Sequence, residues 1–178
     1  NVGLTSFGEN KVQECDKKFS QIIKENNNIK LHLIGPLQTN KVKKALEIFN
    51  TIHTLDREKL ASEIYKNLSK TSKTAEFFIQ INTGSENQKS GVLPNESKPF
   101  ITWCKHDLRL NVVGLMCIPP ISESPSGHFL FLKEIAKKNH LDKLSMGMSG
   151  DFKEAIVCGS THIRIGTLLF GERRYNLK

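Results

Sequence analysis

The sequence is poor in the residues that mark metal and redox proteins: four cysteines and six histidines in 178 residues. None of Cys15, Cys104, Cys117 and Cys158 falls in a CxxC pair, and the histidines form no HExxH. Zinc-ribbon, thioredoxin-type and metalloprotease chemistry are therefore excluded as readings. A chain this long can bury a core without cross-links, so the cysteines are expected to be reduced and mostly buried. No apolar run approaches the roughly 18 residues of a membrane helix, so no membrane partner is expected. The start, Asn1-Val2-Gly3-Leu4-Thr5, lacks an initiator methionine and the basic-then-apolar layout of a leader. It reads as a fragment boundary or a trimmed or disordered amino end, and the expected location is cytoplasmic.

What the sequence has in excess is positive charge, with a formal net charge of +8. The lysines are spread over successive segments, among them Lys17, Lys18, Lys43, Lys44, Lys66, Lys70, Lys73, Lys137 and Lys138. Nucleic-acid binding wants basic residues gathered on one face with aromatics among them. Dispersed along the polar sides of helices, they read as solvated faces, with some attraction for small phosphorylated ligands. A basic scaffold for nucleic acid is the weakest of three functional readings.

Strand and helix patterns alternate throughout. Apolar strand runs are expected at Thr5–Gly8, Ile29–Ile34, Thr51–Leu55, Phe77–Ile81, Leu110–Ile118, Lys143–Met148 and Thr161–Gly166. Between them, helical spacing covers Glu9–Asn26 (Val12, Cys15, Phe19, Ile22 and Ile23 on one stripe), Gln38–Phe49, and a helix capped by Asp56 that buries Leu60, Ala61, Ile64 and Leu68. Three more follow, around Phe100–Cys104, over Phe129–Asn139 and over Asp151–Cys158. Seven strands alternating with six helices imply a parallel sheet. The dinucleotide fingerprint GxGxxG is absent after the first strand, where Phe7-Gly8-Glu9-Asn10 stands instead. The pattern fits an α/β, (β/α)8 barrel with its first strand missing, organised as one domain over residues 1–178.

In such a barrel the chemistry sits where strands end. Met148-Ser149-Gly150-Asp151 runs from a strand into a helix and offers a hydroxyl, a glycine and free N–H groups. Ile165-Gly166-Thr167 repeats the glycine-plus-hydroxyl theme one strand later. Together on the last two strands they favour a phosphate over ordinary capping. Arg164 lies between Ile163 and Ile165 and points opposite to them, either into the barrel mouth or into a structural ion pair. His32, between two leucines, reads as a satisfied core histidine more readily than as a ligand, and Asn10 as a helix cap.

Six ordered segments also carry a resemblance. Phe7-Gly8-Glu9-Asn10-Lys11-Val12-Gln13-Glu14, His32-Leu33-Ile34-Gly35-Pro36-Leu37-Gln38-Thr39-Asn40-Lys41, Lys89-Ser90-Gly91, Gly114-Leu115-Met116 with Pro119-Pro120, Leu144 to Asp151, and Arg164-Ile165-Gly166-Thr167 with Phe170-Gly171 resemble the motifs of the pyridoxal-phosphate homeostasis family. The resemblance runs from Phe7 to Tyr175. It implies the fold-type-III pyridoxal-phosphate (PLP) barrel related to alanine racemase, without the racemases' second domain. It implies PLP in the barrel mouth, with Ser149, Gly150, Gly166 and Thr167 on the phosphate and Arg164 at the pyridine nitrogen. Asn10 and His32 would flank the ring, with Met148 packed nearby. The family's Schiff-base lysine lies on a strand before the FGEN motif and so falls outside this chain. Phosphate or sulfate are the stand-ins expected where PLP itself is not held. Lys89 is the nearest other amine by position.

The function this implies is non-catalytic PLP binding in intracellular PLP homeostasis, with PLP-dependent apoenzymes as possible recipients. The competing reading is a PLP-dependent racemase or lyase. A racemase needs a base on each face of the substrate carbanion. His32 is one candidate; Tyr65 and Tyr175, the two tyrosines, stand at no expected strand end.

Overall fold

Seven short strands carry the architecture of the computed structural model, which describes residues 3–71, 73–86 and 88–172, with Lys24 described by its backbone alone. They are β1 (Ser6–Glu9), β2 (Lys30–Leu33), β3 (Thr51–Leu55), β4 (Glu76–Gln80), β5 (Val112–Met116), β6 (Lys143–Met148) and β7 (His162–Arg164). They pair in chain order, each neighbour parallel to the next. The connections carry α1 (Val12–Glu25), α2 (Val42–Ile48), α3 (Glu58–Leu68), α4 (Ser97–Thr102), α5 (Pro125–Lys138) and α6 (Phe152–Val157). A short α7 (Thr167–Phe170) follows β7.

Side-chain distances show that the sheet is rolled. β2 and β7 are five strand spacings apart along the ladder, about 24 Å if the sheet were flat. The rings of His32 on β2 and His162 on β7 nevertheless have centroids 6.1 Å apart. His53 on β3 and Ser145 on β6 approach to 2.8 Å. Both pairs meet across a lumen, so the strands form a nearly closed barrel, as the alternating pattern predicts. Among the described residues β1 pairs only with β2, and β7 only with β6.

Alternation along each strand then separates two faces. Leu31, Leu33, Ile52, Phe77, Ile79, Leu115, Leu144 and Met146 point outward under the helices and are buried. They meet Val12 and Cys15 of α1, Val42, Ala45 and Leu46 of α2, Leu60, Ala61 and Ile64 of α3, and Phe129, Leu132, Ile135 and Ala136 of α5 in one apolar cluster. His32, His53, Phe78, Ser145, His162 and Arg164 point inward and touch one another. The four cysteines are free and buried.

The elements differ in detail from the sequence pattern. Ile22, expected on the buried stripe of α1, is exposed. Asp56 does not cap α3: Arg57 holds the cap position, and the Asp56 carboxylate pairs with the Arg57 guanidinium at 2.5 Å instead. Helix α5 starts at Pro125, four residues before the expected Phe129. Proline suits a first helical position because its missing N–H has no partner to lose there. Helix α4 begins at Ser97 and continues into a π-helical stretch at Trp103–Asp107. Asn10 is not a cap either. Lys11 occupies that position, and the Asn10 backbone packs against Gly35, where an added Cβ would fall 2.2 Å from the Asn10 carbonyl oxygen.

Candidate functional site

The expected site residues gather at the carboxyl ends of β6, β7, β1 and β2. Strand pairing sets Met148 beside Arg164 and Gly8 beside His32. Tyr175, at the end of the resemblance, lies outside the described residues, and Tyr65 sits half-exposed on α3, away from the strand ends.

The phosphate-type motifs are joined by one side chain. The Ser149 hydroxyl oxygen accepts the backbone N–H groups of Gly166 and Leu168, both at 3.3 Å. Two N–H donors at the start of α7 and one hydroxyl thus converge on one point. An added Cβ at Gly150 or Gly166 would meet nothing within 4 Å, so space lies open beside the donors. Thr167 opens α7 and is exposed. The anticipated helix amino end at Asp151 contributes less. Helix α6 has only six residues, and the Asp151 carboxylate accepts the Met148 N–H at 2.6 Å, turning a negative charge to this side. Met148 is partly exposed at the rim.

Arg164 points into the lumen. Its guanidinium donates to the Ser145 hydroxyl at 2.9 Å and to the Cys117 carbonyl at 3.0 Å. Both partners are neutral, so no described carboxylate closes the structural ion pair that the sequence left open. Burial lowers its pKa, against weaker opposing pulls from Cys117 and Asp151. A partly buried cation held by neutral acceptors is prepared for a further acceptor from a ligand.

His32 is neither isolated nor a simple core histidine. Its Nδ1 lies 3.0 Å from Nε2 of His53, whose Nδ1 lies 2.8 Å from Ser145 Oγ. His53 also stacks on Phe78, with centroids 4.4 Å apart and planes 7° from parallel. Burial, reinforced by His162, lowers the His32 pKa to about 4. Burial drives His53 lower still, helped by the nearby His32, His162 and Arg164. His162 is lowered chiefly by burial and next by Lys143. All three imidazoles are therefore neutral near pH 7. Among the described residues no group of three histidine, cysteine or acidic side chains is arranged to hold a metal ion.

His53 and Ser145 were not singled out from the sequence, although each is a polar residue in an apolar strand, the signal that identified Arg164. The Asn10 side chain makes no hydrogen bond to described residues, leaving its amide available at the rim. The Lys89 amine is engaged by the Glu86 carboxylate at 2.6 Å and the Pro119 carbonyl at 3.3 Å. Asn82 pins that loop through the Glu86 and Lys89 carbonyls.

Comparison with known proteins agrees with this geometry. Residues 2–174 match the alanine racemase N-terminal domain family. A pyridoxal phosphate homeostasis protein of Aquifex aeolicus is 42% identical over 98% of this chain and 80% of its own length. Structures of PipY from Synechococcus elongatus, without PLP and with PLP bound, share 30% identity. They superpose with TM-scores of 0.88 and 0.83, over 95% of this chain and 83% and 82% of theirs. An alanine racemase of Clostridium difficile, 13% identical with a TM-score of 0.72 over 97% of this chain and 46% of its own, shares the fold alone. The barrel and its ordered strand-end motifs place the chain in the pyridoxal phosphate homeostasis protein family.

Proposed function

We propose that this protein binds pyridoxal 5'-phosphate without turning over a substrate and acts in PLP homeostasis. Ser149, Gly150, Gly166 and Thr167 receive the phosphate. Arg164 faces the pyridine nitrogen, and Asn10, His32 and Met148 border the ring. The observation that carries this reading is the convergence of the Gly166 and Leu168 N–H groups on Ser149 one strand away from a lumenal guanidinium with neutral partners. The Gly166 and Leu168 donors follow Arg164 directly in the chain, so donors for an anion and a donor for a ring acceptor share the carboxyl end of β7, as a phosphorylated heteroaromatic requires.

When bound, PLP supplies an electron sink whose strength depends on protonation of its ring nitrogen. A guanidinium, which can only donate, leaves that nitrogen unprotonated and weakens the sink. His53 and His162 are turned onto Ser145 and Thr161, leaving His32 as the imidazole at the mouth. Retention of the cofactor fits these side chains better than racemisation. PLP-dependent apoenzymes are the partners this role calls for.

The test is equilibrium binding of PLP against pyridoxal, followed by ligand absorbance. Two charge-assisted hydrogen bonds to phosphate predict at least about a tenfold preference for PLP, reduced in Ser149→Ala. Equal affinity for the two ligands would refute the phosphate assignment. Sustained exchange of an amino acid's α-proton would refute the non-catalytic one.

A further inference from the structure

The lumenal side chains form a hydrogen-bond chain whose direction is fixed by chemistry. Arginine has donors and no acceptor, so Arg164 must donate to Ser145 Oγ. The Ser145 proton then has one acceptor among the described residues, His53 Nδ1 at 2.8 Å. A neutral imidazole that accepts at Nδ1 carries its proton on Nε2. His53 Nε2 therefore donates to His32 Nδ1 across 3.0 Å. By the same rule His32 carries its own proton on Nε2, which has no hydrogen-bond partner among the described residues.

We infer that His53 and Ser145 are positioning residues for the barrel mouth: the one-way chain Arg164 to Ser145 to His53 to His32 makes His32 present an N–H donor, not a lone pair, to an entering ligand. The ligand edge it selects is an acceptor, such as a deprotonated phenolic oxygen or a carbonyl oxygen. A hydroxyl donor arriving there meets a second donor and is disfavoured. The chain also holds the guanidinium in place from one side, while the Cys117 carbonyl holds it from the other.

Reversing the chain would aim His53 Nδ1–H at Ser145 and leave the serine proton without an acceptor. Protonating His53 would set a second cation beside Arg164. The groups around the two imidazoles oppose such a charge: burial dominates, His162 acts against it at both rings and His32 at His53, and Arg164, Lys30 and Lys143 add to this, with Glu76 alone pulling the other way. His53, only 2% exposed, is stacked on Phe78, which fixes the plane of its ring. The inference rests on the PLP reading only for the identity of the ligand, because the chain exists in the protein alone.

The experiment is long-range proton–nitrogen correlation NMR of the histidine rings in the nitrogen-15-labelled full chain without ligand, from pH 7.5 to 5.5. His53 and His32 are expected to show a protonated Nε2 and an unprotonated Nδ1, unchanged over this range. Ser145→Ala should release the tautomer of His53 and convert both rings to mixtures, and Ser145→Thr, which keeps the hydroxyl, should restore the fixed pattern. A protonated Nδ1 on His53 in the unmodified protein, no change in Ser145→Ala, or titration of His32 near 6.5 would overturn the inference. PLP titration of the same samples separates the two readings. Fixed tautomers without PLP binding support the chain and remove the ligand assignment. PLP binding with reversed tautomers does the opposite.

Discussion

The two faces of the barrel wall are made from alternate residues of the same strands and are built to opposite rules. The outer face is aliphatic and aromatic. Leu33, Ile52, Phe77, Ile79 and Leu115 are fully buried there without a polar atom to satisfy. The inner face carries three imidazoles, a hydroxyl and a guanidinium within a few ångströms of one another. Burying the outer set stabilises the fold by about 1.5–3 kcal/mol per large side chain. Burying the inner set costs desolvation that its hydrogen bonds offset only in part. The outer face therefore holds the barrel together, and the inner face is kept for something other than stability.

Acid separates the faces most strongly, because only the inner one titrates in this range. The His32, His53 and His162 pKa values are lowered in the folded state from an ordinary value of 6.5. Below that value the unfolded chain takes up protons that the folded chain refuses, so stability falls as pH falls and is fully present only above about pH 7. By pH 5 the buried His53 removes about 2 kcal/mol. His32, discounted for its partial exposure, adds about 1–2 kcal/mol, and His162 acts in the same direction. Chemical denaturation at a series of pH values measures this. His53→Gln should flatten the profile between pH 6.5 and 5, and an unchanged slope would mean that His53 is not the neutral buried base described.

Substitution at neutral pH separates the faces next. Phe77→Ala should cost about 3–5 kcal/mol of stability, the usual penalty for emptying a core phenylalanine site. Where that variant remains folded, its preference for PLP over pyridoxal should be unchanged. Arg164→Met should do the reverse. Removing a buried cation without a counter-charge leaves stability within about 1.5 kcal/mol or raises it, while PLP affinity falls by at least about tenfold. A destabilised Arg164→Met with intact binding would collapse the distinction between the two faces.

The outer face was legible in the sequence because it is written as a local period. Spacing by three and four on helices named Val42, Ala45, Leu46, Leu60, Ala61 and Ile64 as core, all of them buried, and apolar runs marked the strands they cover. Ile22 escapes the rule because a stripe wider than the contact leaves its margin in solvent. The inner face was half legible. Arg164 stood out as a charge in an apolar strand, and the glycine-hydroxyl motifs marked the strand ends. His53 and Ser145 carry the weaker form of that signal, a neutral polar residue in an apolar strand, and its meaning depends on a partner distant in the chain. They are 92 residues apart in the chain and meet only when the sheet rolls. The Asp56 cap failed for a related reason: the neighbouring Arg57 offered its carboxylate a stronger, charge-assisted partner than a backbone N–H.

Two glycines give the smallest and cleanest version of the comparison. At Gly35 a Cβ would fall 2.2 Å from the Asn10 carbonyl oxygen, backbone against backbone, with no flexible side chain to yield. Gly35→Ala should therefore lower stability by about 1–3 kcal/mol. Gly166 has empty space where its Cβ would go. Gly166→Ala should change stability by no more than about 0.5 kcal/mol. Its methyl group would instead occupy the room beside the two N–H donors and Ser149, so PLP affinity should fall in a variant whose thermal unfolding matches the parent. If Gly166→Ala binds PLP as well as the parent does, the phosphate does not rest on this cradle. The open space at Gly166 would then be ordinary surface, and Arg164 would be left as the inner face's main contact with the ligand.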